Sequence, residues 1–222
     1  MPVTSRAQRT TLLAAATALA LAASGCSGSA DDSTTTPPML AAAVDAHTDA
    51  PLRAAAELPE GSQGVVEGDV TVEVSLDREV GDNAHVLLAV TRGTPFGVSA
   101  AELADLCESL GPCEEVDGAT LVFENGSPES DPGIAYAWME RGDVTVWAYG
   151  YGPFIEQDPA QRSEEVAALA ETLVGVVSDP GVGFTSAAAY VEGAQEICDG
   201  PWLDWYGQGN GSPEPEDSTD WC

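Results

Sequence analysis

Lysine is absent from this chain. Seven arginines are its only basic residues besides two histidines, against 37 acids, for a formal charge of −30. A field of that sign repels phosphate backbones and anionic headgroups, which argues against nucleic acid as a partner and against membrane attachment through a basic patch. Catalytic motifs are missing too. There is no C-x-x-C pair, no H-E-x-x-H, no G-x-S-x-G and no glycine-rich phosphate loop, so zinc, serine-hydrolase and nucleotide chemistry have no motif behind them. No cofactor and no metal site is expected. Calcium could be held by the acidic stretch Glu214-Pro215-Glu216-Asp217, but that stretch lacks the spacing of a calcium loop. The absence of lysine beside abundant alanine and glycine points to a GC-rich coding sequence before it points to function.

What is present begins at the N-terminus. Arg6 and Arg9 precede an apolar run from Leu12 to Ala23 broken only by Thr17, followed by Ser24-Gly25-Cys26. A positive region, a short apolar region and small residues make a secretory signal, and the run is too short to span a bilayer, which takes about 20 residues. With Cys26 directly after Ser24-Gly25, the segment resembles the lipobox of bacterial lipoproteins, and with this composition the chain looks like the small exported lipoproteins of actinobacterial type. That resemblance implies removal of residues 1–25, lipidation of the Cys26 thiol (palmitate among the acyl chains), and anchoring of the protein to the outer face of the cytoplasmic membrane. Removing 25 of 222 residues leaves 197, and two arginines leave with them, so the charge becomes −32. Residues 27–38 carry no apolar periodicity and read as a flexible tether, about 40 Å long when extended. A single domain is expected over 39–222, with an irregular acidic tail over 198–222.

Export agrees with the remaining cysteines. Cys107, Cys113, Cys198 and Cys222 are even in number, and four cysteines allow three pairings. Cys107–Cys113 and Cys198–Cys222 are favoured because each closes a local loop.

Periodicity supplies the elements. Met39, Leu40, Ala43, Val44 and His47 fall at helical spacing, and Pro51 ends or kinks that segment. Val70 to Leu76 alternates as a half-buried strand, and His85 to Thr91 is apolar on both faces, as in a central strand. Ser99-Ala100-Ala101-Glu102 is a capping box that opens a helix to about Leu110. Thr120 to Phe123, Ile134 to Glu140 and Val144 to Tyr151 are further strands, the last two joined by a tight turn at Arg141-Gly142. Asp158-Pro159 starts a helix whose apolar stripe runs Val166, Leu169, Ala170, Leu173, Val174 and Val177. A weaker helix spans Thr185 to about Ile197. Together these predict an α+β fold: a largely antiparallel sheet of about five strands with two to three packed helices, stapled by disulfides.

Hairpin pairing supplies the first candidate site. A loop at Arg141-Gly142 sets Tyr136 opposite Trp147 and Ile134 opposite Tyr149. Alternation then gathers Tyr136, Trp138, Trp147, Tyr149 and Tyr151 on one face, and Ala135, Ala137, Met139, Val144, Val146 and Ala148 on the other. The second face suits the helix at 159–178. The aromatic face can stack a glycan, an aromatic small molecule or an envelope protein's side chains, or be covered by the tail with Trp202, Trp205 and Tyr206. His85 is expected as a hydrogen-bonded core histidine, and His47 has no partner motif. The function class is a lipid-anchored binding or protein-interaction module, and the alternative is an envelope hydrolase using a carboxylate pair on glycan.

Overall fold

The computed structural model describes residues 33–58, 60–61, 64–77, 84–109, 111–124, 134–152, 159–202 and 221–222. Cys26, the acidic run 214–217, Trp205, Tyr206 and the Asp158 cap lie outside them.

Chain order is β1 (Ser33–Thr34), α1 (Pro37–Ala46), β2 (Leu52–Ala56), β3 (Val70–Leu76), β4 (Ala84–Thr91), a short 3-10 turn (Pro95–Gly97), α2 (Ala100–Ser109), β5 (Glu114–Val116), β6 (Ala119–Glu124), β7 (Ile134–Arg141), β8 (Val144–Tyr151), α3 (Pro159–Ser178), β9 (Thr185–Ser186) and α4 (Ala188–Asp199). Seven strands form one antiparallel sheet in the order β2-β3-β4-β8-β7-β6-β5, and β1 pairs with β9 in a two-stranded ribbon. The α+β class and the antiparallel sheet are as expected, but among the described residues the sheet has seven strands instead of about five, and there are four helices. The additional strands are the short edges. β2 (Leu-Arg-Ala-Ala-Ala) has no β-branched residue and is a strand because β3 supplies its partners. β5 is only three residues long.

Helices α1 and α3 pack on one sheet face and α4 packs on α1, around a core that includes Leu40, Val44, Val74, Val86, Leu88, Leu169, Leu173 and Val177. Ala135, Ala137, Met139, Val144, Val146 and Ala148 all meet that core, as strand alternation predicts. The capping box forms as read: the Ser99 amide donates to the Glu102 carboxylate at 2.8 Å and the Glu102 amide to the Ser99 hydroxyl at 3.3 Å. Those bonds hold the Glu102 carboxyl below its ordinary pKa.

Residues 33–38 differ from the tether expected there. Ser33 and Thr34 pair with Ser186 and Thr185. The buried Thr35 hydroxyl donates to the Gly183 carbonyl at 2.6 Å and lies 2.7 Å from the Ser186 hydroxyl. Pro37 and Pro38 open α1, where a missing N–H costs nothing because those amides have no partner within the helix. β3 is also buried on both faces instead of one, because Thr71, Glu73 and Ser75 lie under further structure on the side away from the helices.

Register in the β7–β8 hairpin is displaced by two residues. Arg141 pairs with Val144, so the loop is Gly142-Asp143, and Trp138 faces Trp147, Tyr136 faces Tyr149 and Ile134 faces Tyr151. Gly142 has φ +69°, a conformation a two-residue hairpin loop requires and glycine adopts without strain. An even shift leaves the two faces as assigned.

Both disulfides pair as favoured, Cys107 with Cys113 and Cys198 with Cys222.

Candidate functional site

The aromatic face exists, and it is roofed at one end. Phe96, in the 3-10 turn, inserts its ring among three others, with centroids 4.9 Å from Trp147, 5.4 Å from Tyr136 and 5.8 Å from Trp138. Leu58, Val65, Leu103, Leu106, Cys107 and Cys113 complete this second core. Trp147 is 0% and Trp138 6% exposed, so neither is a contact residue, a correction to the expected platform. Nor is the described tail its cover. Trp202 packs against the helix-side core, with its amide donating to Ile197 and Pro201 bonded to Ala55. The roof is built instead from the segment after β4 and from the β2–β3 connection, which sequence spacing alone does not aim at any face.

Beyond the roof, Tyr136, Tyr149 and Tyr151 are half-buried and continue as a ladder. Tyr136 lies 5.9 Å from Tyr149, Tyr149 6.3 Å from Tyr151, and Tyr151 stacks on His85 at 5.0 Å and 5°. His85 Nδ1 is 3.2 Å from the buried Glu73 carboxylate, which also accepts from the Tyr151 hydroxyl at 3.4 Å. His85 is thus hydrogen-bonded as expected. Burial and, secondarily, Glu73 push the Tyr151 phenol up to about 12.

His47 has a partner after all. Its Nε2 lies 2.8 Å from Asp179 Oδ2, and the Tyr190 hydroxyl donates to the same oxygen and sits 3.4 Å from Nε2. The Gly181 amide donates to Oδ1 at 2.6 Å. Burial alone would raise the Asp179 carboxyl, but the bonds from Tyr190, His47 and Gly181 outweigh it and hold the group below its usual range. The Tyr190 phenol is raised by burial and by Asp179. This cluster ties the end of α1 to the end of α3 and the start of α4. Arg141 reinforces the same corner, donating to the carbonyls of Val177 and, at 2.8 Å, Val182. A cation suits the negative end of the α3 dipole.

Two recesses flank α3. The first is an apolar groove of about 370 Å³ between α3 and the β5–β6 hairpin. Val116, Leu121 and Phe123 form its sheet wall, and Ala167, Ala170, Val174 and Gly175 its helix wall; Asp117 and Glu171 stand at its rim and Ser178 at its end. It exists because β5 and β6 extend the sheet past the helix layer while α3 presents small side chains there. The buried Ser178 hydroxyl oxygen has no hydrogen-bond partner among the described residues. The second recess, of about 400 Å³, is polar and lies between the end of α1 and α3, lined by His47, Thr48, Asp49, Glu171 and Thr172 with two alanines. Glu171 borders both. Gly175 lets them adjoin, since a Cβ there would lie 2.9 Å from His47 Nδ1.

Sequence reading missed both recesses. Among the described residues, no group of three His, Cys, Asp or Glu side chains is placed to hold a metal, and no helix is long and apolar enough to cross a membrane. No protein-family model matches the chain, and no curated protein matches it.

Proposed function

We propose that this chain is a lipid-anchored binding protein of the cell envelope, held to the outer face of the cytoplasmic membrane through Cys26. Its ligand is a small, largely apolar molecule seated in the groove between α3 and the β5–β6 hairpin. The observation that carries this is the groove itself. Its volume of about 370 Å³ falls in the range of small-ligand sites, and its walls are aliphatic and aromatic with a few polar groups at one end and the rim. The aromatic face is the weaker contact surface, because its two tryptophans are buried. Anchoring is supported by the lipobox-like segment at Leu21–Cys26 and by two disulfides, which suit an oxidising compartment. Six residues separate Cys26 from β1. Extended, they reach about 20 Å, so the domain sits close to the membrane surface.

Two experiments test the proposal. Replacing Cys26 with Ser is expected to move the protein from the membrane fraction to the soluble fraction; unchanged membrane retention refutes the anchor. Native mass spectrometry of the protein released from its own envelope is expected to show a retained small molecule, lost when Ala167→Trp fills the groove. A retained mass that survives that substitution places the ligand elsewhere.

A further inference from the structure

We infer that the groove's ligand is a cationic amphiphile: a single alkyl or aryl tail lies between α3 and β5–β6, and a positively charged amine or quaternary ammonium head lies over the polar recess at Asp49 and Glu171. The inference rests on the groove being a binding site and adds the chemistry of what fills it. The apolar groove, on the β5–β6 side of α3, and the polar recess, on its α1 side, meet at Glu171, which lines both. A molecule in the groove therefore passes Glu171, where the recess begins. The groove offers aliphatic wall and the recess offers carboxylates and hydroxyls, so one occupant of both is apolar at one end and polar at the other.

Charge decides the sign of the polar end. Three carboxylates border the two recesses, Asp117, Glu171 and Asp49. His47, the one basic side chain of the lining among the described residues, already bonds Asp179 through Nε2. Arg141 is the nearest fixed cation named at this corner, and its guanidinium is committed to the Val177 and Val182 carbonyls. An anionic head would meet carboxylates at every border, none of them paired with a cation among the described residues. A cationic head would meet partners, in a protein whose overall field already concentrates cations. Ser178 gives the tail end of the groove a hydroxyl with no partner among the described residues, which suits a ligand that carries a hydroxyl or ether there.

The test is titration calorimetry of the mature chain carrying Cys26→Ser, with both disulfides formed. Dodecyltrimethylammonium, dodecanol, dodecanoate and tetramethylammonium serve as probes, each chain kept below its micelle concentration. The cationic chain is expected to bind about tenfold more tightly than the neutral chain, the scale of two solvent-exposed ion pairs acting together. Dodecanoate is expected to bind most weakly of the chains. Asp49→Asn with Glu171→Gln should remove the preference and leave dodecanol binding intact. Ala167→Trp, at an exposed position, should remove all chain binding while the circular dichroism spectrum stays that of wild type.

Equal binding of the three chains, or tightest binding of dodecanoate, overturns the cationic head while leaving the groove as a site. A preference that survives the double variant overturns the placement of the head at Asp49 and Glu171, since overall charge would then account for it. Binding unchanged by Ala167→Trp, or no chain binding at all, overturns the groove as a site and this inference with it.

Discussion

Replacing Gly64 with alanine should loosen the roof over Trp138 and Trp147, because at this point two backbones cross. Gly64 has φ +86°, and a Cβ there would lie 2.3 Å from the carbonyl oxygen of Phe96 and 2.7 Å from its carbon. Gly97, at φ +63°, meets the same obstacle in reverse, with its Cβ position 2.6 Å from the Gly64 carbonyl oxygen. The obstructing atoms are main chain, so no rotamer change relieves the overlap. Two costs follow: about 1 kcal/mol for a left-handed alanine, and about 1–3 kcal/mol for moving the crossing strands apart. Gly61 separates them, since its φ is +78° and nothing lies within 4 Å of its Cβ position. Gly61→Ala carries only the conformational cost, and the effect of alanine on the unfolded chain cancels between the two variants. Urea unfolding followed by circular dichroism should therefore place Gly64→Ala about 1–3 kcal/mol below Gly61→Ala, with greater access of acrylamide to tryptophan in the folded state. Equal midpoints for the two variants would refute the crossing as a structural constraint.

Asp179→Asn should cost about 2 kcal/mol at neutral pH, since it weakens charge-assisted bonds from His47 and Tyr190. Because the folded Asp179 pKa is lowered, its contribution is whole above about pH 4 and fades as pH falls through the folded value, so urea midpoints of wild type and variant should converge in acid. A gap as wide at pH 2 as at pH 7 would exclude this linkage. Tyr151 has the opposite sense: with a folded pKa of about 12 against an ordinary 10, it stabilises fully below pH 10 and loses its contribution as pH rises toward 12. Tyr151→Phe should spare about 1 kcal/mol of that alkaline loss after allowance for solvent screening, read from unfolding midpoints at pH 9 and 11.5. Cys107→Ser with Cys113→Ser should cost about 2 kcal/mol by the chain-entropy estimate for a short loop. Thermal unfolding at fixed pH checks this, and an unchanged midpoint would show that the bridge adds nothing to the packing around Leu103 and Leu106.

Much of the fold is written locally and was legible. Alternation in β7 and β8 assigns each side chain to its face, the α3 stripe marks the helix that covers one of them, and Ser99 with Glu102 marks the start of α2. Cysteine spacing indicated both bridges. What was not legible depends on distant partners. β2 has helix-like composition and becomes a strand only beside β3. Residues 33–34 resemble linker until β9 pairs with them. The hairpin loop slid by one residue, and the register by two, because glycine, and not Arg141, takes the positive φ. The site was the least legible part. His47 and Asp179 lie far apart in sequence, and neither recess corresponds to a spacing, since both arise from where α3 comes to rest on the sheet.

The strand order has a consequence for how the molecule is assembled. β2-β3-β4 is one meander and β5-β6-β7-β8 another, each built from neighbours in sequence, and a single seam between β4 and β8 sews them into one sheet. Every pair along that seam, from His85–Tyr151 to Thr91–Thr145, joins residues with α2, β5, β6 and β7 between them in sequence. Closing so long a loop is the entropically costly step, and contacts of this separation slow folding. Until the seam closes, each half carries an unpaired apolar edge, β4 with Val86, Leu88 and Val90 and β8 with Val146 and Trp147, and unpaired edges of that kind are what other chains add to. For this topology the hazardous interval is the wait for that one join.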